Sequence, residues 1–332
     1  MPGVFLTVIE DGTQRARLNR ARKLAFERSH LEVRMFNVGE GEAILVIPPR
    51  SRNAWLVDCG CHHNKDLGEA LADYFASGDL LLKGVILSHP HLDHGGAIRT
   101  VLENVRLARN VKYFRSNDAF FSAGKVWLGD LTTVMRRLGS RIENPVIVRQ
   151  RIRHVNLGNG VRARLFAGKP VSAGYTSIFL NLHFGDARLL FTGDVKCGYE
   201  IRLLKQRADA EFRADVLKVT HHGASSGTAN RLLCAVKPGI AIASTAEEGG
   251  HRLEQDVLGR LGGRPGPRKV LETFVDGDII LQTDGRALDG GVLYKVDSQR
   301  RSNVAADVGA TTSPLNRIRR GRTRHANCER GC

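Results

Sequence analysis

The chain has 332 residues, of which 42% are hydrophobic and 25% charged, so it can bury one large core or two small ones and is not a disordered polymer. Its 50 lysines and arginines against 34 acidic residues give a net charge of +16, which favours nucleic acid or another polyanion and equally suits a charged tail kept for solubility. No apolar run approaches the ~18 residues of a membrane span, which excludes a membrane-spanning class.

The six cysteines show no CxxC pair and no disulfide-like spacing, which points to a reducing compartment, the cytoplasm. Val4 to Ile9 is a short apolar stretch followed by acids and arginines, unlike a signal peptide. Residues 1–30 read as a basic leader, with Arg15, Arg17, Arg20, Arg22, Lys23 and Arg28 on a helical stretch.

Leu31 to Phe36 alternates as a strand, Gly39-Glu40-Gly41-Glu42 is a turn, and Ala43 to Ile47 is a second strand, which together predict a hairpin. A third strand, Ala54 to Val57, stops at Asp58-Cys59-Gly60. Leu67 to Phe75 has helical spacing, and Lys83 to Leu87 is a short apolar strand that delivers Ser88-His89 at its carboxyl end. Residues 100–175 show a mixed pattern.

The rhythm then returns. Strands are predicted at Ser177 to Phe184 and Arg188 to Phe191, the second leading into Thr192-Gly193-Asp194. A helix over 197–209 and a strand from Val216 to Val219 follow, ending at Thr220-His221-His222-Gly223. A helix over Ala229 to Val236 and strands at Ile240 to Ser244, Asp278 to Gln282 and Val292 to Val296 complete the series. Polar residues dropped repeatedly at strand ends describe a layered domain over 31–297 with its site along one sheet edge. The tail, 298–332, is rich in arginine and poor in apolar residues, so it is expected to be disordered, as a solvated extension or a nucleic-acid-binding arm.

Packing does not readily explain His89-Pro90-His91-Leu92-Asp93-His94. Imidazole and carboxylate are the donors that hold Zn²⁺ or Mn²⁺ in hydrolytic sites. A short loop lets His89 and His91 point to one metal while Asp93 and His94 point to a second, and Gly95-Gly96 permits the tight turn that follows. The plain alternative is a surface histidine cluster.

The pattern His89-x-His91-x-Asp93-His94 resembles the signature of the metallo-β-lactamase superfamily, and the resemblance spans roughly residues 31–296. Asn37-Val38-Gly39-Glu40-Gly41-Glu42-Ala43 is similar to the VGQGDA hairpin of the ComEC-type competence proteins of DNA uptake. Leu56-Val57-Asp58-Cys59-Gly60 is similar to their LIDAG, Leu190-Phe191-Thr192-Gly193-Asp194 to LLTGD, and the stretch from Val216 to Ser225 to VLKVGHHGS. Phosphorylcholine esterases share much of this pattern. The resemblance implies an α+β fold, the four-layer αββα sandwich, and two divalent metal ions, zinc with manganese as the alternative.

It also implies roles. His89 and His91 ligate the first metal, Asp93 and His94 help hold the second, and Asp194 bridges both. Asp58 supports the loop by hydrogen bonding. Of His221 and His222, one contacts metal or acts as a general acid on a substrate phosphate, and His222 is the favoured member. His251 takes the place of a GHP-type ligand, with Arg252 where that motif has proline. Asp93, His222 and Asp58 therefore form the catalytic set. Lys218 faces either the site or the solvent side of its strand. The middle ligand is missing: Tyr175-Thr176-Ser177 offers neither the asparagine nor the histidine of relatives, and His154 and His183 are the nearby substitutes.

Two cations sharing a water lower its pKa toward neutrality, and the resulting hydroxide attacks phosphorus or a carbonyl carbon. With the basic charge, the leading expectation is phosphodiester hydrolysis, of nucleic acid. The alternatives are a hydrolase of a small phosphoester, phosphorylcholine, lactone or thioester, and a nucleic-acid-binding module without turnover. Only two tryptophans and 6% aromatics offer little for a choline cage.

Overall fold

The computed structural model describes residues 29–61, 67–117, 143–148, 151–168, 177–247, 249, 251–263, 266–288, 291–299 and 316–319. The leader arginines up to Arg28, Tyr175, Thr176 and the tail cysteines lie outside the described residues.

In chain order the first half carries β1 (Leu31–Met35), β2 (Ala43–Ile47), β3 (Asn53–Cys59), α1 (Leu67–Ser77), β4 (Leu81–Ile86), α2 (Leu92–Gly95), α3 (Ile98–Glu103), α4 (Val105–Ala108), β5 (Tyr113–Asn117) and β6 (Glu143–Val148). The second half carries β7 (Arg153–Gly158), β8 (Val161–Phe166), β9 (Phe179–Phe184), β10 (Ala187–Phe191), α5 (Cys197–Gln206), β11 (Val216–Lys218), α6 (Asn230–Val236), β12 (Ile240–Ala243), α7 (Gln255–Gly262) and β13 (Lys269–Glu272). After α8 (Thr273–Asp276), strands β14 (Ile279–Thr283), β15 (Ala287–Leu288), β16 (Gly291–Ser298) and β17 (Asn316–Arg319) close the chain.

These strands build two sheets. One runs β15-β16-β14-β1-β2-β3-β4-β5-β6, with β17 paired to β16; the other runs β13-β12-β11-β10-β9-β8-β7. Period-two alternation explains why they stack. In β1, Leu31, Val33 and Met35 face inward while Glu32 and Arg34 are half-buried on the other side. Val33, Ile44 and Val57 of the first sheet pack in one cluster with Leu165, Leu180 and Leu189 of the second. The second face of the first sheet is covered by α1, α3 and α4 through Leu71, Phe75, Ile98 and Leu107. That of the second is covered by α5, α6 and α7 through Leu203, Leu232 and Leu261. Helix, sheet, sheet and helix make the four-layer αββα sandwich.

The predicted hairpin is present: β1 and β2 pair antiparallel. The other anticipated strands and helices recur to within a few residues. Three expectations need correction. The mixed stretch 100–175 contains four regular strands, β5 to β8. Within the tail expected to lack order, Asn316–Arg319 forms a short strand paired with β16 along Gly291–Tyr294. Cys197 and Cys234 are each disulfide-bonded, which spacing along the chain does not reveal. Cys59 and Cys61 are free thiols. Among the described residues, no helix is long and apolar enough to cross a membrane.

Candidate metal centre

The first sheet supplies two loops at the carboxyl ends of β3 and β4. Asp58 takes a left-handed backbone, φ 55°, which turns its carboxylate under the histidine loop. There Oδ1 accepts the Ser88 backbone N–H at 2.6 Å, and Oδ2 accepts His94 Nδ1–H at 2.8 Å. The hairpin turn braces the same loop from the other side, since Glu42 N–H donates to Asp93 O at 2.8 Å and Gly60 N–H donates to Glu42 O at 3.0 Å. A Cβ on Gly60 would overlap the backbone of Asp93 and His94, and one on Gly41 would overlap Gly60. Three backbones meet here at a separation only glycine permits.

The second sheet supplies the rest. Asp194 follows β10 through Gly193, whose φ is 57°, and its backbone N–H donates to Ser177 Oγ at 3.1 Å. After β11, His221 and His222 are both left-handed, with φ 53° and 54°, a conformation that costs an L-residue about 1–2 kcal/mol. Surrounding bonds hold it. His221 N–H donates to Gly193 O at 3.0 Å, and Thr220 N–H donates to Thr228 Oγ1 at 3.0 Å. The buried Glu200 carboxylate accepts Thr228 N–H and Ala229 N–H at 2.8 and 2.7 Å. This strain turns the His222 ring into the site.

Asp93, His94, Asp194 and His222 are all buried and each offers a ligand atom within 4.8 Å of the others. His94 Nε2 and His222 Nε2 face each other at 3.0 Å, and Asp194 Oδ2 lies 3.0 Å from the first and 3.3 Å from the second. Asp93 Oδ2 is 3.6 and 3.5 Å from the same nitrogens. The far nitrogens are committed: His94 Nδ1 to Asp58, and His222 Nδ1 to the Ser244 carbonyl at 3.1 Å. Each imidazole thus turns a lone pair inward. Two converging lone pairs and two buried carboxylates suit a divalent cation.

The remaining predicted residues surround this group. His89 Nε2 lies 3.9 Å from Asp194 Oδ2 and 3.0 Å from His91 Nδ1. His251 Nε2 lies 3.4 Å from Asp93 Oδ2, its ring stacked on His222 at 3.8 Å. His221 Nδ1 lies 3.0 Å from Ser226 Oγ, and the ring feels the charge of Asp194. His154 and His183 lie on the outer face of β7 and β9, so neither replaces the missing middle ligand. His222 is wholly buried with both nitrogens engaged, a geometry that fits a ligand and leaves little room for a proton shuttle.

Electrostatics describe a cluster that holds protons when it lacks a cation. Burial disfavours charge on His94 and His222, yet the carboxylates together, Asp194 with Asp58 at His94 and Asp194 with Asp93 at His222, raise both above the ordinary 6.5. Burial likewise opposes charge on Asp194, but His222 and His94 hold it well below 3.8. His89 is lowered, by burial first and then by His94.

A buried ion pair went unrecognised in the sequence. Lys218 and Glu42 are both shut off from solvent and their charged ends are in contact. Lys218 Nζ lies 3.7 Å from Asp194 Oδ1 and 3.5 Å from Gly193 O. One Asp194 oxygen therefore faces the histidines and the other lies toward a lysine. The available signal was a lysine inside the otherwise apolar run Val216-Leu217-Lys218-Val219.

Comparison with known proteins agrees with the geometry. Over 250 residues the chain is 26% identical to ComE operon protein 3 of Bacillus subtilis (strain 168), a match that takes in 68% of this chain and 30% of that protein. The metallo-beta-lactamase fold protein YhfI from Bacillus subtilis superposes with a TM-score of 0.50 at 16% identity, covering 76% of this chain and 99% of that one, a likeness of fold alone. Residues 38–247 match the model of the Metallo-beta-lactamase superfamily. The chain belongs to the metallo-beta-lactamase superfamily.

Proposed function

We propose that this superfamily hydrolase cleaves phosphodiesters, with nucleic acid as its substrate class. The observation that carries the reading is the buried group Asp93, His94, Asp194 and His222. These four residues would hold a divalent cation, and His89, His91 and His251 stand close enough to complete a second position. When bound, a divalent cation supplies Lewis acidity, which acidifies water and screens charge on the phosphoryl oxygens.

The chain's own groups prepare that chemistry. Asp58 and the Ser244 carbonyl fix the ring orientation of His94 and His222, as outer partners of metal-binding histidines commonly do. Lys218 steadies the far oxygen of Asp194. The apolar strands beneath, Val57 and Ile86 on one side and Phe191 on the other, keep bulk water from the donor atoms. The net charge of +16 and the likeness to competence-type motifs support a polyanionic substrate over a small neutral ester.

The test is direct. Protein loaded with Zn²⁺ or Mn²⁺ is assayed on bis-p-nitrophenyl phosphate, DNA and RNA beside a panel of lactones and thioesters. Cleavage of diesters, reduced to background in Asp194→Ala and His91→Ala, is the expected result. Intact diesters with turnover in the ester panel would replace the substrate class, and no turnover with less than one bound metal per chain would favour a binding module.

A further inference from the structure

The outer face of the second sheet is apolar where the helices cover it and basic farther out, where Arg162 is exposed and Arg164, His183 and Arg188 are half-buried. Phe166, Phe179 and Leu190 lie under the helices. One and two residue pairs away, the same face presents Arg162, Arg164, His183 and Arg188. Register places Arg162 directly opposite His183, and His183 directly opposite Arg188, while His154 stands opposite Arg164 on the edge strand.

His183, not a third cation, stands between Arg162 and Arg188, and few acids offset the arginines of this face. Glu211 takes Arg164 at 3.0 Å but is shared with Arg207 at 3.2 Å. Among the described residues, no carboxylate forms an ion pair with the guanidinium of Arg162 or Arg188, although Asp215 Oδ2 accepts the Arg188 backbone N–H at 3.0 Å. His183 Nε2 is buried without a hydrogen-bond partner. Burial first, then Arg188, Arg164 and His154, push its pKa down to about 4. The guanidiniums of Arg162 and Arg188 are thus the groups of this face with no acid on them among the described residues.

From this array we infer that the outer face of β8, β9 and β10 is a docking platform for the sugar–phosphate backbone of nucleic acid. Arg162 and Arg188 are about 10 Å apart, two strand spacings, and Arg162 and Arg164 about 7 Å, so the charges form a flat grid suited to an extended polyanion. The chain's own leader and tail are themselves rich in arginine and would be repelled. Arg188 precedes Asp194 by about 20 Å of chain along and beyond β10, so a small diester that occupies the metal centre does not touch the platform. The inference rests on the nucleic-acid reading above and names the surface that would grip that substrate.

The experiment measures binding of a fluorescein-labelled single-stranded 30-mer DNA by anisotropy across a salt series, with metal removed by EDTA. Arg162→Glu/Arg188→Glu should weaken binding by about tenfold or more, and Arg162→Gln/Arg188→Gln should lower the slope of log K against log salt by about 1.4, two phosphate contacts at roughly 0.7 each. The control, Arg109→Glu/Lys112→Glu, makes the same change in net charge at exposed sites by the other sheet and should cost far less. Equal losses in the two charge reversals, or none in either, overturn the platform. A labelled poly-glutamate that loses binding while DNA does not also overturns it and assigns the face to an acidic protein. Hydrolysis of bis-p-nitrophenyl phosphate by the metal-loaded protein should be unchanged in the platform variants. If the wild type binds DNA through this face yet hydrolyses no diester, the platform stands and the catalytic reading falls.

Discussion

Lys218 and Glu42 form an ion pair closed to solvent that joins β11 to the β1–β2 hairpin, directly behind Asp194. Glu42 also anchors the histidine loop through its backbone. One pair of side chains thus fixes the spacing between the two halves of the metal centre.

Removing one member strands the other charge in the interior. Lys218→Met or Glu42→Gln should each lose about 3–5 kcal/mol of unfolding free energy, whereas Lys218→Met/Glu42→Leu should lose much less. Urea denaturation of the three metal-free variants measures this. The double variant should still bind metal more weakly than wild type, since Asp194 Oδ1 has lost its partner. Wild-type affinity in the double variant would show that the pair serves stability alone.

Asp58→Asn preserves size and an acceptor for Ser88 N–H but offers His94 a weaker partner. Zn²⁺ affinity should fall about 10–100-fold with little change in far-UV circular dichroism. Competition with a chromogenic chelator gives the number, and an unchanged affinity would remove Asp58 from the metal-supporting role.

The pH dependence of the metal-free protein follows from the shifts. His94 and His222 are raised above 6.5, so the stability they contribute is fully present below 6.5 and is lost as pH rises through their folded values. Asp194 is depressed below 3.8, so its contribution is present above 3.8 and lost as pH falls further. The metal-free melting temperature should therefore decline on the alkaline side of neutrality, and added Zn²⁺ should restore it there. Metal uptake near neutral pH should release protons, seen by calorimetry as a heat that varies with buffer ionisation enthalpy. A heat independent of buffer would contradict protonated histidines.

The disulfide-bonded cysteines predict a redox-dependent stability. Cys197→Ser and Cys234→Ser should each lose about 2–4 kcal/mol relative to oxidised wild type, and reductant should bring wild type down to the same level. Equal stability with and without dithiothreitol would contradict a bond that matters to folding.

The local features of the chain were legible in its residues, and the distant ones were not. His89 to His94 announced itself because six adjacent residues carried the signal, β1 showed clean alternation, and β2 stood out as a short apolar run after a glycine turn. Asp194 and His222 acquired meaning only through resemblance, because one aspartate at a strand end is common. The strands β7 and β8 were hidden by their outer residues: Arg162 and Arg164 alternate with Ala163 and Leu165, but a half-polar edge segment reads as loop when seen alone. The Lys218–Glu42 pair and the Cys197 and Cys234 bonding depend on chain segments meeting from far apart, which no window of sequence contains.

Asp93 and His94 come from the half of the chain that builds most of the first sheet, Asp194 and His222 from the half that builds the second. Neither half owns a full complement of donors. As the polypeptide leaves the ribosome, Asp93 and His94 emerge well before their companions, so a cation gripped by all four donors would be captured only after β10 and β11 have emerged and docked. Such a capture would come late in maturation and would report that the two layers have closed in register.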